Sequence, residues 1–198
     1  ALLGPTGTVS LVLAAGDLDH DGPQELVAVV NERRGATVAA TQLTSRYYVF
    51  DDAVARYTQL RSGFVEGFEF GVGLHFAAMA DVALGDIDGD GLDEIVFGGI
   101  RYLELDLPGC QRGTSPYVFV AVDDAAAGFA DLGARQFERT YCAGVNFDPR
   151  MFYVHVNTLD FDGDGRSEVQ GNEFVFDDWV AAAPWTPMGG LSSSEILD

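Results

Sequence analysis

Asp86-Ile87-Asp88-Gly89-Asp90-Gly91-Leu92-Asp93-Glu94 places carboxylates at its first, third, fifth and ninth positions and glycine at its sixth. The same spacing recurs in Asp17-Leu18-Asp19-His20-Asp21-Gly22-Pro23-Gln24-Glu25 and in Asp160-Phe161-Asp162-Gly163-Asp164-Gly165-Arg166-Ser167-Glu168. Four carboxylates in nine residues repel one another unless a cation sits among them. An all-oxygen donor set on a flexible loop suits calcium. The expected ligands are the side chains of Asp17, Asp19, Asp21 and Glu25, of Asp86, Asp88, Asp90 and Glu94, and of Asp160, Asp162, Asp164 and Glu168. The backbone carbonyls of Pro23, Leu92 and Arg166 complete the sets, giving about three Ca2+ ions. Proline is compatible at position 23 because only its carbonyl is needed. His20 stands where the other loops have Gly89 and Gly163; it is expected to face solvent, and the first site to be the weakest.

Working outward, each loop lies between two apolar, β-branched or aromatic runs. Val9–Ala15, Phe76–Leu84 and Met151–Val156 precede the loops; Leu26–Val30, Ile95–Phe97 and Val169 onward to Phe176 follow them. Such runs, bounded by turn residues, predict strand–loop–strand. An EF-hand is excluded, because it needs a following helix and closes its ligand set at position 12. The loops begin at 17, 86 and 160, so they are 69 and 74 residues apart, the mark of a repeat architecture. A second echo is a strand ending in Asp-Asp: Asp51-Asp52, Asp123-Asp124 and Asp177-Asp178, which lie 34, 37 and 17 residues beyond the first loop aspartate. A further strand-like stretch follows in the first two repeats (Val54–Leu60 and Gly128–Phe137), predicting an outer β-hairpin with the acidic pair at its turn. The pairs are read as turn residues, with a further cation as the alternative. The insertions Arg33–Arg46 and Leu107–Pro116 read as exposed loops.

About four strands per repeat is one propeller blade. The fold class is therefore all-β, with three tandem four-stranded blade-like units carrying Ca-binding DxDxDG loops in a partial or assembling propeller. Residues 1–198 form one repeat domain: blade 1 over 1–75, blade 2 over 76–150, a partial blade 3 over 151–183, and a tail or docking segment over 184–198.

Gly85 to Gly99 resembles the FG-GAP/VCBS repeat, the blade of integrin-α-like propellers, and Ala15–Val27 and Leu159–Val169 match the same pattern more loosely. Two features depart from it. Glu replaces the usual ninth-position Asp, and only Phe70-Gly71 echoes the family's namesake segments. The resemblance implies one calcium ion per blade at a strand–strand corner. It also implies an extracellular adhesion or ligand-binding role, or a scaffold for an enzyme. Three blades do not close a ring, since propellers need roughly four to eight. Open edges are normally capped, so further blades or further copies of the chain are expected to cover them, in an oligomer or a filament.

Composition narrows the function classes. Apolar residues make up 47% of the chain, enough for a core. A formal charge of −20 argues against nucleic acid or an anionic membrane as partner. Twelve of the 31 acidic residues are loop ligands, and three calcium ions would bring the charge only to −14. All eleven basic residues are arginine, and no run of 18 apolar residues predicts a membrane span. The N-terminal segment reads as a processed or truncated end. Cys110 and Cys142 form a disulfide if the chain is secreted, or stay as two thiols.

The remaining candidates read as structural. His20, His75 and His155 share no ligand spacing, and His155 fits a strand better than a catalytic role. Gly71-Val72-Gly73 lacks the rest of a phosphate loop, Ser192–Ser194 lacks a nucleophile context, and no Asn-x-Ser/Thr sequon occurs. Trp179 and Trp185 suit core or blade-interface packing, with a sugar-stacking platform as the alternative. No catalytic set emerges outside the loops. The expectation is an extracellular, non-enzymatic adhesion or structural scaffold, with a protein or glycan ligand at the insertion loops or further copies of itself as partner. The alternative is part of a propeller-based carbohydrate-binding or carbohydrate-active enzyme.

Overall fold

The computed structural model describes residues 8–34, 42–52, 54–65, 81–100, 103–107, 110–143, 154–171, 174–177 and 179, with backbone alone at 8, 33–34, 42–44, 64, 100, 103–107, 110–118, 136–143 and 174. The described residues form strands and turns and no helix. The first sheet holds β1 (Thr8–Gly16), β2 (Glu25–Arg34), β3 (Gln42–Phe50) and β4 (Gln59–Phe64), antiparallel and in chain order. The second holds β5 (Asp81–Gly85), β6 (Glu94–Ile100), β7 (Leu103–Leu107), β8 (Cys110–Val122) and β9 (Asp131–Ala143). Because β6 and β7 pair with different halves of β8 on the side away from β9, this sheet is four lanes wide. The third holds β10 (Val156–Leu159), β11 (Glu168–Gly171) and β12 (Phe174–Phe176). None of the sheets closes on itself. Each sheet with its acidic loop is one unit below.

One register governs all three units. The residue before the first loop aspartate pairs with the ninth-position glutamate: Gly16 with Glu25, Gly85 with Glu94, Leu159 with Glu168. The residue after that glutamate then pairs with the one before Asp-Asp: Leu26 with Phe50, Ile95 with Val122, Val169 with Phe176. Hairpin extension on both arms leaves this register intact, so insertions of unequal length still set the Asp-Asp pair beside the glutamate.

Two expectations are corrected. The described residues of the insertions are strand: β2 runs to Arg34, β3 starts at Gln42, and β7 pairs with β8. Antiparallel backbone bonds continue past the apolar segment because they need no apolar side chains. The stretch Val54–Thr58 is turn rather than strand. Arg56 (φ 59°) and Tyr57 (φ 55°) are left-handed there, and Asp51 N–H reaches Thr58 C=O at 2.8 Å. The second unit repeats this turn with Gly128 (φ 73°), Phe129 (φ 59°) and a 2.8 Å bond from Asp123 N–H to Ala130 C=O. In both hairpins the register shifts at the residue before Asp-Asp, a β-bulge that strengthens the local twist.

The units pack face to face. Leu18, Val27, Val29, Tyr47 and Val49 of the first unit meet Val82, Ile95, Phe97 and Val120 of the second in one core. Ala83, Ile87, Val96, Phe119 and Ala121 of the second meet Val154, Val156, Val169, Phe176 and Trp179 of the third in another. The middle sheet thus buries successive residues on opposite faces, as strand pleating requires. That explains its near-continuous apolar runs. The leading strands β1, β5 and β10 lie next to one another. Trp179 is buried, donating its indole N–H to Leu132 C=O at 3.3 Å, with the Arg135 guanidinium 5.2 Å from its ring centre. It packs in the core and is no exposed sugar platform.

Cys110 and Cys142 sit on the paired strands β8 and β9, Cys142 opposite Arg112. Their side chains lie outside the described residues, as do the Gly71–Gly73 and Phe70-Gly71 segments, His75, Asp178, Trp185, the Ser192–Ser194 run and the whole 184–198 tail.

Glycine makes the close approach of these faces possible. A Cβ on Gly171 would lie 2.0 Å from the buried Phe119 ring. Overpacking of this kind costs about 1–3 kcal/mol. Gly171→Ala should therefore lower stability by that amount in urea unfolding, whereas an unchanged midpoint would contradict the described packing of the second and third units.

Candidate metal centres

Each loop folds around its own carboxylates. Asp86 Oδ1 accepts from Gly89 N–H (2.7 Å) and Asp90 N–H (3.1 Å), and its Oδ2 from Gly91 N–H (2.9 Å). Asp160 does the same with Gly163 (2.6 Å) and Gly165 (3.2 Å). Third-position oxygens accept from the fifth residue: Asp19 from Asp21 (3.2 Å), Asp88 from Asp90 (3.1 Å), Asp162 from Asp164 (3.0 Å). Fifth-position oxygens accept from the seventh: Asp90 from Leu92 (2.9 Å) and Asp164 from Arg166 (2.8 Å). Pro23 has no N–H, so the first loop lacks this bond to Asp21. The sixth-position glycines share one left-handed geometry, with φ of 94°, 93° and 94° at Gly22, Gly91 and Gly165. Position 4 is left-handed too, and His20 adopts φ 64° where Gly89 and Gly163 lie at 84° and 81°. Such a backbone is costly for a residue with a Cβ. His20 is exposed, as expected. His155 is also exposed, its ring 3.7 Å from the Asp81 carboxylate.

The ninth-position glutamates are almost fully buried, at 0%, 0% and 1% exposure for Glu25, Glu94 and Glu168. In every unit Oε2 accepts the N–H of the second loop residue: Leu18 at 2.6 Å, Ile87 at 2.6 Å, Phe161 at 2.5 Å. The other oxygen of Glu25 and of Glu94, with Asp17 Oδ1 and Asp124 Oδ2, is buried without a hydrogen-bond partner. Burial pushes the Glu94 carboxyl up to about 8, with the Asp88 and Asp86 charges adding to the rise. Glu25 and Glu168 are raised in the same direction, chiefly by burial.

The third loop brings Asp160, Asp162, Asp164 and Glu168 together with one oxygen each inside 4.8 Å. The first brings together Asp17, Asp19 and Glu25, leaving Asp21 outside the tight group. The second forms three overlapping groups: Asp86, Asp88 and Asp90; Asp88, Glu94 and Asp123; Asp90, Glu94 and Asp124. Asp123 and Asp124, read from the chain as turn residues with a further cation as the alternative, thus join the acidic groups of the second loop, and only the shared strand register brings them there. The donor set is all oxygen, and buried unpartnered carboxylate oxygens demand a positive charge or a proton. The residues present therefore fit a hard divalent cation.

Neighbouring loops are also tied by backbone. Asp93 N–H donates to Asp17 C=O (3.3 Å), and Ser167 N–H to Asp86 C=O (2.6 Å), each linking the eighth position of one loop to the first of the loop before. A separate cleft of about 240 Å³ lies between the first two units, lined by residues that include Tyr47, Arg61, Phe97, Phe129 and Asp131.

Comparison with protein-family models, curated proteins and solved structures finds no match to this chain.

The raised carboxyls set a pH dependence. Without a cation the folded chain holds more protons than the unfolded one, whose glutamates titrate near 4.5. Stability is thus lost as pH rises from about 4.5 through about 8, the folded value of Glu94. Melting temperature in EGTA should fall across that window, and saturating calcium should remove or reverse the slope. A flat or rising profile in EGTA would contradict the burial of these groups.

Proposed function

We propose that this chain is a calcium-stabilised run of FG-GAP/VCBS-type propeller blades from an extracellular protein, serving as a structural or adhesive scaffold. The observation that carries the proposal is the threefold recurrence of one arrangement: a hairpin loop, the same register, and a buried glutamate with one oxygen bonded to the loop backbone. Face-to-face units with adjacent leading strands support blade-like stacking. Extracellular calcium modules work at roughly 10⁻⁴–10⁻³ M, which ties the loops to a compartment where calcium is millimolar.

The two ends of the stack differ. Leu13 is 53% exposed, while its counterparts Val82 and Val156 are 7% and 8% exposed against the preceding unit. Val9 and Leu11 extend this apolar face. At the other end, Leu159 stands where the first two units have Gly16 and Gly85. A Cβ on Gly16 would lie 2.3 Å from Asp93, and one on Gly85 2.7 Å from Thr158, both in the following unit. Leu159 therefore obstructs a follower of the same geometry. The partner proposed for the leading face is a further unit of this kind whose first strand ends in glycine, and not the third unit of a second copy.

A second reading, carbohydrate binding, is favoured by the aromatic cleft with Arg61 and Asp131 at its wall. It fails if a glycan array shows no binding.

Two measurements test the main proposal. At millimolar calcium and a Kd of roughly 10⁻⁴–10⁻³ M each cation adds about 0.4–1.4 kcal/mol, so over three sites EGTA should lower the melting temperature at neutral pH by several degrees; an unchanged melt contradicts structural calcium. By light scattering in calcium, Leu159→Gly should raise head-to-tail association above that of the natural chain. Equal association of the two would contradict the assigned polarity of the ends.

A further inference from the structure

The second unit's outer hairpin carries a carboxylate that its turn does not account for. Asp124 is 0% exposed. Its Oδ1 accepts Ala127 N–H at 2.6 Å, which closes the turn, as Asp52 Oδ1 does with Ala55 N–H at 2.6 Å in the first unit. Its Oδ2 is buried and has no partner, and Asp124 offers one carboxylate oxygen to a group with Asp90 and Glu94 whose oxygens lie within 4.8 Å. Glu94 Oε1 is likewise buried without a partner. Asp123 meets Asp88 and the same glutamate. Two residues of one acidic cluster, each with a buried and unpartnered oxygen, need a shared cation or a proton between them.

We propose that Asp124 is a ligand of the second unit's cation, so that the ion clamps the outer β8–β9 hairpin to the acidic loop. The proposal rests on the calcium reading above and adds to it a ligand from another strand pair. The coordination count is consistent. Calcium takes six to eight oxygens, and the loop alone offers Asp86, Asp88, Asp90, Glu94 and the Leu92 carbonyl. The hairpin oxygen fills one of the places that water would otherwise take. Ala125 N–H of the same turn also donates to Leu18 C=O of the first loop at 3.0 Å. An ion held by Asp124 therefore fastens a turn that is already tied to the neighbouring unit, and loading one site stiffens the contact with the next. In the third unit Asp177, the counterpart of Asp123, is exposed, and the described acidic group there is the loop's own four carboxylates.

Calcium titration by calorimetry of the full chain, natural and Asp124→Asn, tests the assignment. Asparagine keeps the Oδ1 acceptor for Ala127 N–H, so the turn bond survives while the charge is lost. One binding event should weaken at least tenfold and the others stay unchanged. Asp177→Asn should leave the whole isotherm unchanged. An isotherm for Asp124→Asn equal to that of the natural chain overturns the assignment. Absence of calcium binding by the natural chain instead overturns the function proposed above, so the two failures are distinct. A measurement needing no variant stands beside it: calcium should slow amide exchange at Ala125–Ala130 along with the loop 86–94, and protection of the loop without the turn would overturn the clamp.

Discussion

A carboxylate buried at the start of β2, β6 and β11 is the constraint on which the rest of the structure depends. Glu25, Glu94 and Glu168 are nearly inaccessible to water, and an uncompensated charge there costs several kcal/mol. Each unit answers in part with the same short bond from the second loop residue, which holds the loop against the start of the next strand. The remaining demand is met by a proton or a cation. The loop aspartates around each glutamate make the cation the better answer at neutral pH, because protonating one carboxyl leaves the others repelling. Local folding, strand register and metal chemistry therefore meet at one side chain per unit.

The same register spreads that local arrangement through the stack. It fixes where the Asp-Asp turn lands and which residues face each neighbour. In the middle sheet both faces are covered, so Ile95, Val96 and Phe97 are all buried although they alternate sides. In the first sheet one face is open, and β1 correspondingly alternates between Leu11 or Leu13 outside and Val12 or Ala14 packed inward. Gly16, Gly85, Gly98 and Gly171 remove the Cβ atoms that would keep the units apart. Backbone bonds from Asp93 to Asp17 and from Ser167 to Asp86 make each loop a support for the next.

Much of this was legible in the chain. The three loops, their flanking strands, the all-β class and the Asp-Asp turns follow from short-range patterns: carboxylate spacing, β-branched runs and turn residues. Leu18 and Ile87 illustrate what did not. Both occupy the second loop position, as Phe161 does, yet the first two are buried and Phe161 is 46% exposed. The difference comes from the following unit, which no local pattern encodes. The insertions misled for a similar reason: polar segments such as Arg33–Arg46 read as loops, whereas the antiparallel ladder extends as far as the Arg34–Gln42 pair. The convergence of Asp124 on Glu94 was hidden because 30 residues separate them in the chain. Only the pairing of Ile95 with Val122 brings them together.

Metal content measured directly is the sharpest test of the central claim. The purified chain, brought to equilibrium by dialysis against millimolar calcium, should retain close to three calcium ions per molecule above the dialysate by elemental mass spectrometry, falling toward none after EGTA. Retention of no calcium, or of an amount unaffected by replacing Glu25, Glu94 and Glu168 with glutamine, would contradict it.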